Sequence, residues 1–310
     1  MKKLLMTLAL GATSFLYANV NAIVSILPQQ TFLEKIGGDK VNVSLMVQPG
    51  NSPHSYEPKP SQMKDISKAD VYFSIGVEFE DVWLPKFTNQ NKNMIISKMD
   101  DSITKIEIEK HSHHDHNEEK DDDHHEHHEH HDDHDEDEKH NDHEEHHDNK
   151  DPHTWLSPSN VKTMAHNIFK TLSTLDSKNS AYYQKNLDNF LSEINQLDLN
   201  IKNILKNTPE HSKFMVFHPS WGYFAKEYHL EQFAIESGGK NPKPKQIAYL
   251  IEEAKEENVK AIFTAPEFST KTANQIAKEV GVPVIKISPL NPKWNENLLS
   301  FAKGISAQHK

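Results

Sequence analysis

The chain has 310 residues, no cysteine and a formal net charge of −12, long enough for two domains of ordinary size. Without thiols it can form neither disulfides nor thiolate metal sites, so any transition-metal site must draw on histidine and carboxylates. No basic patch interrupts the acidic balance, which argues against a nucleic-acid partner. Apolar residues make up a low 35%, but the shortfall is local. Residues 111–150 contain fifteen His, eighteen Asp or Glu and three Lys, which accounts for the whole negative balance. The remainder is near neutral and can bury ordinary cores.

In chain order, MKKLLMTLALGATSFLYANVNA opens with Lys2 and Lys3 and an apolar run over 4–16. That run is short for a bilayer span, and small residues follow it. It reads as a secretory signal over 1–22, cleaved after Ala18 or Ala22, and predicts a bacterial exported, periplasmic protein. Strand patterns then fall at 23–27, 41–47, 71–75 and 94–97, with helical stretches at 29–36, 61–68 and 79–87. After residue 210 the alternation returns, with strands at 214–217, 231–235, 260–264 and 283–287 and helices at 220–227, 244–257 and 270–280. This predicts an α/β fold with two parallel sheets, each covered by helices.

Between the halves, Tyr183, Leu187, Phe190, Ile194, Leu197, Ile201 and Ile204 repeat at alternating intervals of four and three, the stripe of one long amphipathic helix. Over 178–206 it would run about 43 Å. The expected organisation is an N-terminal lobe over 23–177, this rigid linking helix, and a C-terminal lobe over 207–310. The segment 111–150, including HHEHHEHHDDHDEDEKH, has no apolar periodicity and is expected to be disordered without a ligand.

Three histidines stand where strands end. His54, in PGNSPHSYEP, follows the 41–47 strand, and His218, in FHPSWGYF, follows the 214–217 strand. His153, in DPHTWLSP, lies past the fourth strand at the exit of the acidic segment. Ligand sites in open α/β sheets form outside the carboxyl ends of strands, so histidines from two lobes can converge on one cleft. Three imidazoles suit zinc and leave one tetrahedral position open. His166, His211, His229 and His309 read as surface, strand-entry or tail residues.

At these residues the sequence resembles the bacterial metal-specific solute-binding proteins, most closely the high-affinity zinc-uptake family called ZnuA. The resemblance is carried by PGNSPHSYEP, GVEFEDVW, DPHTWLSP, FHPSWGYF and IFTAPEFSTKTANQIAKEVG, with a His-rich insertion just before DPHTWLSP. It implies two (β/α)4 lobes flanking the long helix, with Zn²⁺ in the cleft held by His54, His153 and His218. Manganese-preferring relatives typically place a carboxylate where His218 stands. Some relatives also use an Asp from a C-terminal-lobe loop that here carries Ser269 and Thr270, so the fourth ligand is expected to be water or Glu267. Glu57 and Glu78 read as structural carboxylates.

The implied function is a periplasmic zinc receptor, a monomer delivering Zn²⁺ to a membrane permease driven by a cytoplasmic ATPase. Weak auxiliary sites in the acidic segment, such as His124, His125, His127, His128, His130 and His131, would collect metal nearby. A zinc hydrolase would also use three His and a water, but it needs a general base and a substrate pocket, and outside the acidic segment no HExxH-type arrangement supplies one. A storage or adhesion protein would instead make the His run its working part.

Overall fold

The computed structural model describes residues 19–108, 150–236 and 240–307. Most of the expected signal segment, nearly all of the acidic segment with its candidate weak ligands, and His309 lie outside these residues. Among the described residues no helix is long and apolar enough to cross a membrane.

The first sheet contains β1 (Val20–Val24), β2 (Val41–Leu45), β3 (Val71–Ser74) and β4 (Ile95–Lys98), all parallel in the order β2-β1-β3-β4. The second repeats it with β5 (Lys213–Val216), β6 (Glu231–Ala234), β7 (Ile262–Thr264) and β8 (Val284–Lys286), ordered β6-β5-β7-β8. Each sheet therefore reverses direction beside its first strand, which opens a crevice at the carboxyl ends of β1 and β3 and of β5 and β7. The central strands are mostly apolar, as expected for strands covered on both faces: all four residues of β3 are buried.

β1 begins three residues earlier than the 23–27 pattern suggests. Pro28 lies in the first turn of α1 (Leu27–Gly37), and Gln29 Oε1 accepts from Ser25 N and Ile26 N, which turns the chain out of the sheet at residue 25. Val20–Ala22 pair with Val41–Val43. A chain cut after Ala22 would lose three of the five β1 residues.

The long helix is α5 (Ser180–Leu205), with Tyr183, Leu187, Phe190, Ile194, Leu197, Ile201 and Leu205 buried. Each such burial contributes about 1.5–3 kcal/mol. It packs against α4 (Pro158–Leu175) and α1 on the N-terminal side and α9 (Trp294–Ser306) on the C-terminal side. Neither α4 nor α9 is among the helices expected from sequence. One core thus runs from the first sheet through α5 and α9 to Phe214, Val216 and Phe263 on the inner face of the second sheet. The alternate residues Met215 and Phe217 enter a smaller core under α7 (Pro244–Glu256) and α8 (Lys271–Val280).

The lobes are also joined by buried polar contacts. Trp155 Nε1 donates to Pro289 O at 2.8 Å, and Trp294 Nε1 donates to Trp155 O at 2.8 Å. Both indoles are almost fully buried, so neither bond can be exchanged cheaply for water.

Candidate metal site

His218 lies two residues past the end of β5, at the switch point of the second sheet. His54 lies in the turn between β2 and α2 (Pro60–Ile66), and His153 opens a 3₁₀ turn over Thr154–Leu156. These three residues, from three separate segments, meet across the lobes. The His218 ring centroid is 5.1 Å from that of His54 and 5.1 Å from that of His153. Imidazoles bound through Nε2 to one tetrahedral zinc would have centroids about 5.2 Å apart, so His218 is correctly spaced from both. The cluster is nevertheless open: among the described residues no three His, Asp or Glu side chains are gathered into a finished ion cage.

Each imidazole is held by a carboxylate at the same nitrogen. His54 Nδ1 lies 3.2 Å from Glu78 Oε1, His153 Nδ1 2.7 Å from Asp151 Oδ1, and His218 Nδ1 2.5 Å from Glu236 Oε1. An ionised carboxylate only accepts, so each Nδ1 must carry the proton and each Nε2 keeps its lone pair. His218 Nε2 is buried and has no hydrogen-bond partner. An orphaned buried acceptor costs about 1–3 kcal/mol, and a ligand would remove that cost.

These side chains line a cavity of about 20 Å³, walled by Trp155, Phe268, Pro289 and Leu290. It suits one water-sized occupant and is far too small for an organic solute. Phe268 stacks on His218 at 4.7 Å, which restrains the ring and keeps the local dielectric low. Glu267 also lines the cavity. Its Oε1 accepts from Ser288 Oγ at 2.6 Å, while Oε2 is buried without a partner.

The electrostatics separate the histidines. Burial pushes His218 below the usual histidine range, and the neighbouring His153 and His54 add to this against the opposing pull of Glu236. His54 is pushed up by its bond to Glu78, against partial burial. Burial would raise the Glu78 carboxyl, but the bond to and charge of His54 outweigh it and bring it to about 2. Glu78 opens α3 (Glu78–Gln90), two residues before Glu80. The buried Glu80 carboxylate accepts from Ile75 N, Gly76 N and Ser25 Oγ.

These shifts predict the order of proton competition. As pH falls from 8, His54 takes a proton first, so metal affinity should drop about tenfold per pH unit below its raised pKa, and steeply only at lower pH as His218 follows. Glu78→Gln should move that first break to lower pH. A dissociation constant flat between pH 8 and 5.5, read by chelator competition, would contradict this order.

The other candidates separate cleanly. His166 is exposed on α4, and His229 is exposed just before β6. His211 is exposed and pairs with Glu231 at 2.9 Å. Glu57 is exposed, and neither it nor Ser269 nor Thr270 lines the cavity. Glu78, expected to be a structural carboxylate pairing near a helix start, pairs with His54 from the first residue of α3. Asp151 and Glu236 join it as carboxylate partners of His153 and His218. Only Asp151 had a local signal, standing two residues before His153; Glu236 is 18 residues from His218 and Glu78 is 24 residues from His54.

The chain is similar to known metal-uptake proteins. The profile of the family described as "ZnuA: Zinc-uptake complex component A periplasmic" matches residues 23–304. The high-affinity zinc uptake system protein ZnuA of Bacillus subtilis is 30% identical over 267 residues, covering 84% of this chain and 76% of its own length. The manganese ABC transporter substrate-binding lipoprotein scaA of Streptococcus gordonii is 27% identical over 278 residues, covering 86% of this chain and 77% of its own. A crystal structure of ZnuA superposes with a TM-score of 0.79 at 38% identity, covering 94% of this chain and all of that one.

Proposed function

Because the chain belongs to the ZnuA family of periplasmic metal-uptake components, metal-binding receptors of ABC importers and not enzymes, we propose that its cargo is Zn²⁺. His54, His153 and His218 bind the ion through Nε2. Glu267 or a water takes the fourth position. The observation that carries the reading is the repeated pattern of three imidazoles, each with Nδ1 against a carboxylate and each lining one small cavity. Three nitrogen donors favour zinc over manganese, which prefers a larger share of oxygen ligands. That choice matters because relatives at similar identity include a manganese protein.

The protein works as a monomer in the periplasm, handing Zn²⁺ to a membrane permease driven by a cytoplasmic ATPase. Export proceeds by cleavage after Ala18, which leaves β1 whole. The acidic segment gathers zinc weakly beside the cleft and raises its local concentration, provided release is fast.

The test is chelator competition on the chain from residue 19, with and without residues 111–150. Both forms should retain one tight zinc site that outcompetes manganese by at least about a hundredfold, and only the full chain should show several weak ones. Equal affinity for manganese, or no tight site in the deletion form, would sink the assignment.

A further inference from the structure

The roots of the acidic segment are built more carefully than a surface insertion requires. Asp151 N donates to Ile106 O at 2.8 Å, and Glu107 and Lys150 form an antiparallel bridge. Ile106 and Asp151 thus stand side by side, a rung that joins the two roots of the segment. Onto this rung comes Tyr223, from α6 (Gly222–Glu227) of the C-terminal lobe. Its buried hydroxyl accepts from Ile106 N at 3.2 Å and donates to Asp151 O at 2.9 Å. Gly222 beside it leaves room for the Asp151 carboxylate: a Cβ there would lie 2.8 Å from Asp151 Oδ2.

Asp151 is at once the exit residue of the segment and the partner of His153. Its Oδ1 accepts from His153 N at 2.8 Å and from His153 Nδ1 at 2.7 Å. A charged segment that takes up and loses metal ions changes its internal repulsion, and therefore the force on its ends. Unless the ends are pinned, that force reaches Asp151 and, through it, the imidazole.

We propose that Tyr223 is a positioning residue for metal capture: by clamping both roots of the segment to the C-terminal lobe, its hydroxyl isolates the Asp151–His153 pair from the charge state of the insertion. This rests on the reading of His153 as a ligand. Tyrosine suits the task because one hydroxyl donates and accepts at once. Phenylalanine would keep the ring packing and lose both bonds.

The experiment compares the full chain, Tyr223→Phe, a chain with residues 109–149 replaced by a short Gly-Ser linker, and the combination. Zinc affinity at the tight site is read by chelator competition at substoichiometric zinc, with the melting temperature of each form measured alongside. The linker alone should change affinity less than about threefold. Tyr223→Phe should weaken the full chain about tenfold and the linker chain less than about threefold, since a short linker holds the rung closed. Equal losses in both backgrounds would mean a merely structural tyrosine, and no loss in the full chain would mean no clamp; either overturns the proposal. His153→Ala serves as control. If it keeps the tight site, the ligand assignment fails and this inference with it; if it loses the site while Tyr223→Phe is silent, only the clamp fails.

Discussion

Replacing His218 by alanine should weaken tight zinc binding by roughly two to three decades, as expected when one of four ligands sharing about 10–16 kcal/mol is removed. His218 is the central ring, 5.1 Å from each of the others, so no remaining pair can substitute for it. The same change strands Glu236, which is 5% exposed and loses its imidazole partner. The melting temperature of the metal-free variant should therefore fall as well. His166→Ala, on the exposed face of α4, should leave both quantities unchanged. Titration of the two variants side by side checks the assignment, and equal affinities would refute it.

The second large effect concerns the carboxylates. Glu236→Ala should weaken zinc binding about 10–100-fold while stoichiometry stays at one tight ion. Without the acceptor at Nδ1, the neutral ring is free to carry its proton on Nε2, and that tautomer cannot bind the metal through Nε2. Asp151→Asn should act on His153 in the same range, because an amide nitrogen turned toward Nδ1 would impose the wrong tautomer. Isothermal titration at fixed pH measures both. Unchanged affinity in the two variants would show that the carboxylates do not set the rings.

The alternation of strands and helices, the stripe from Tyr183 to Ile201 and the placement of His54, His153 and His218 after strands were all legible in the chain, because each depends on local spacing or on chain order. α4 and α9 were legible in principle and overlooked: Val161, Met164, Ala165, Ile168 and Leu172 make a helical stripe as regular as many. The start of β1 was misplaced because Val20–Ala22 sit in a leader-like context, and only their pairing with Val41–Val43 marks them as strand.

Residue types and periodicity were therefore enough for the fold class, the rigid linker and the choice of nitrogen over sulfur as the metal donor. They could not show that Glu78 and Glu236 hold the Nδ1 atoms of distant histidines, that Glu267 lines the cavity with one carboxylate oxygen buried and unpaired, or that Tyr223 bridges residues 106 and 151. Those contacts join positions far apart in the chain. Their strength comes from burial, where an unpaired polar atom is costly, and burial exists only once the two lobes have closed on α5.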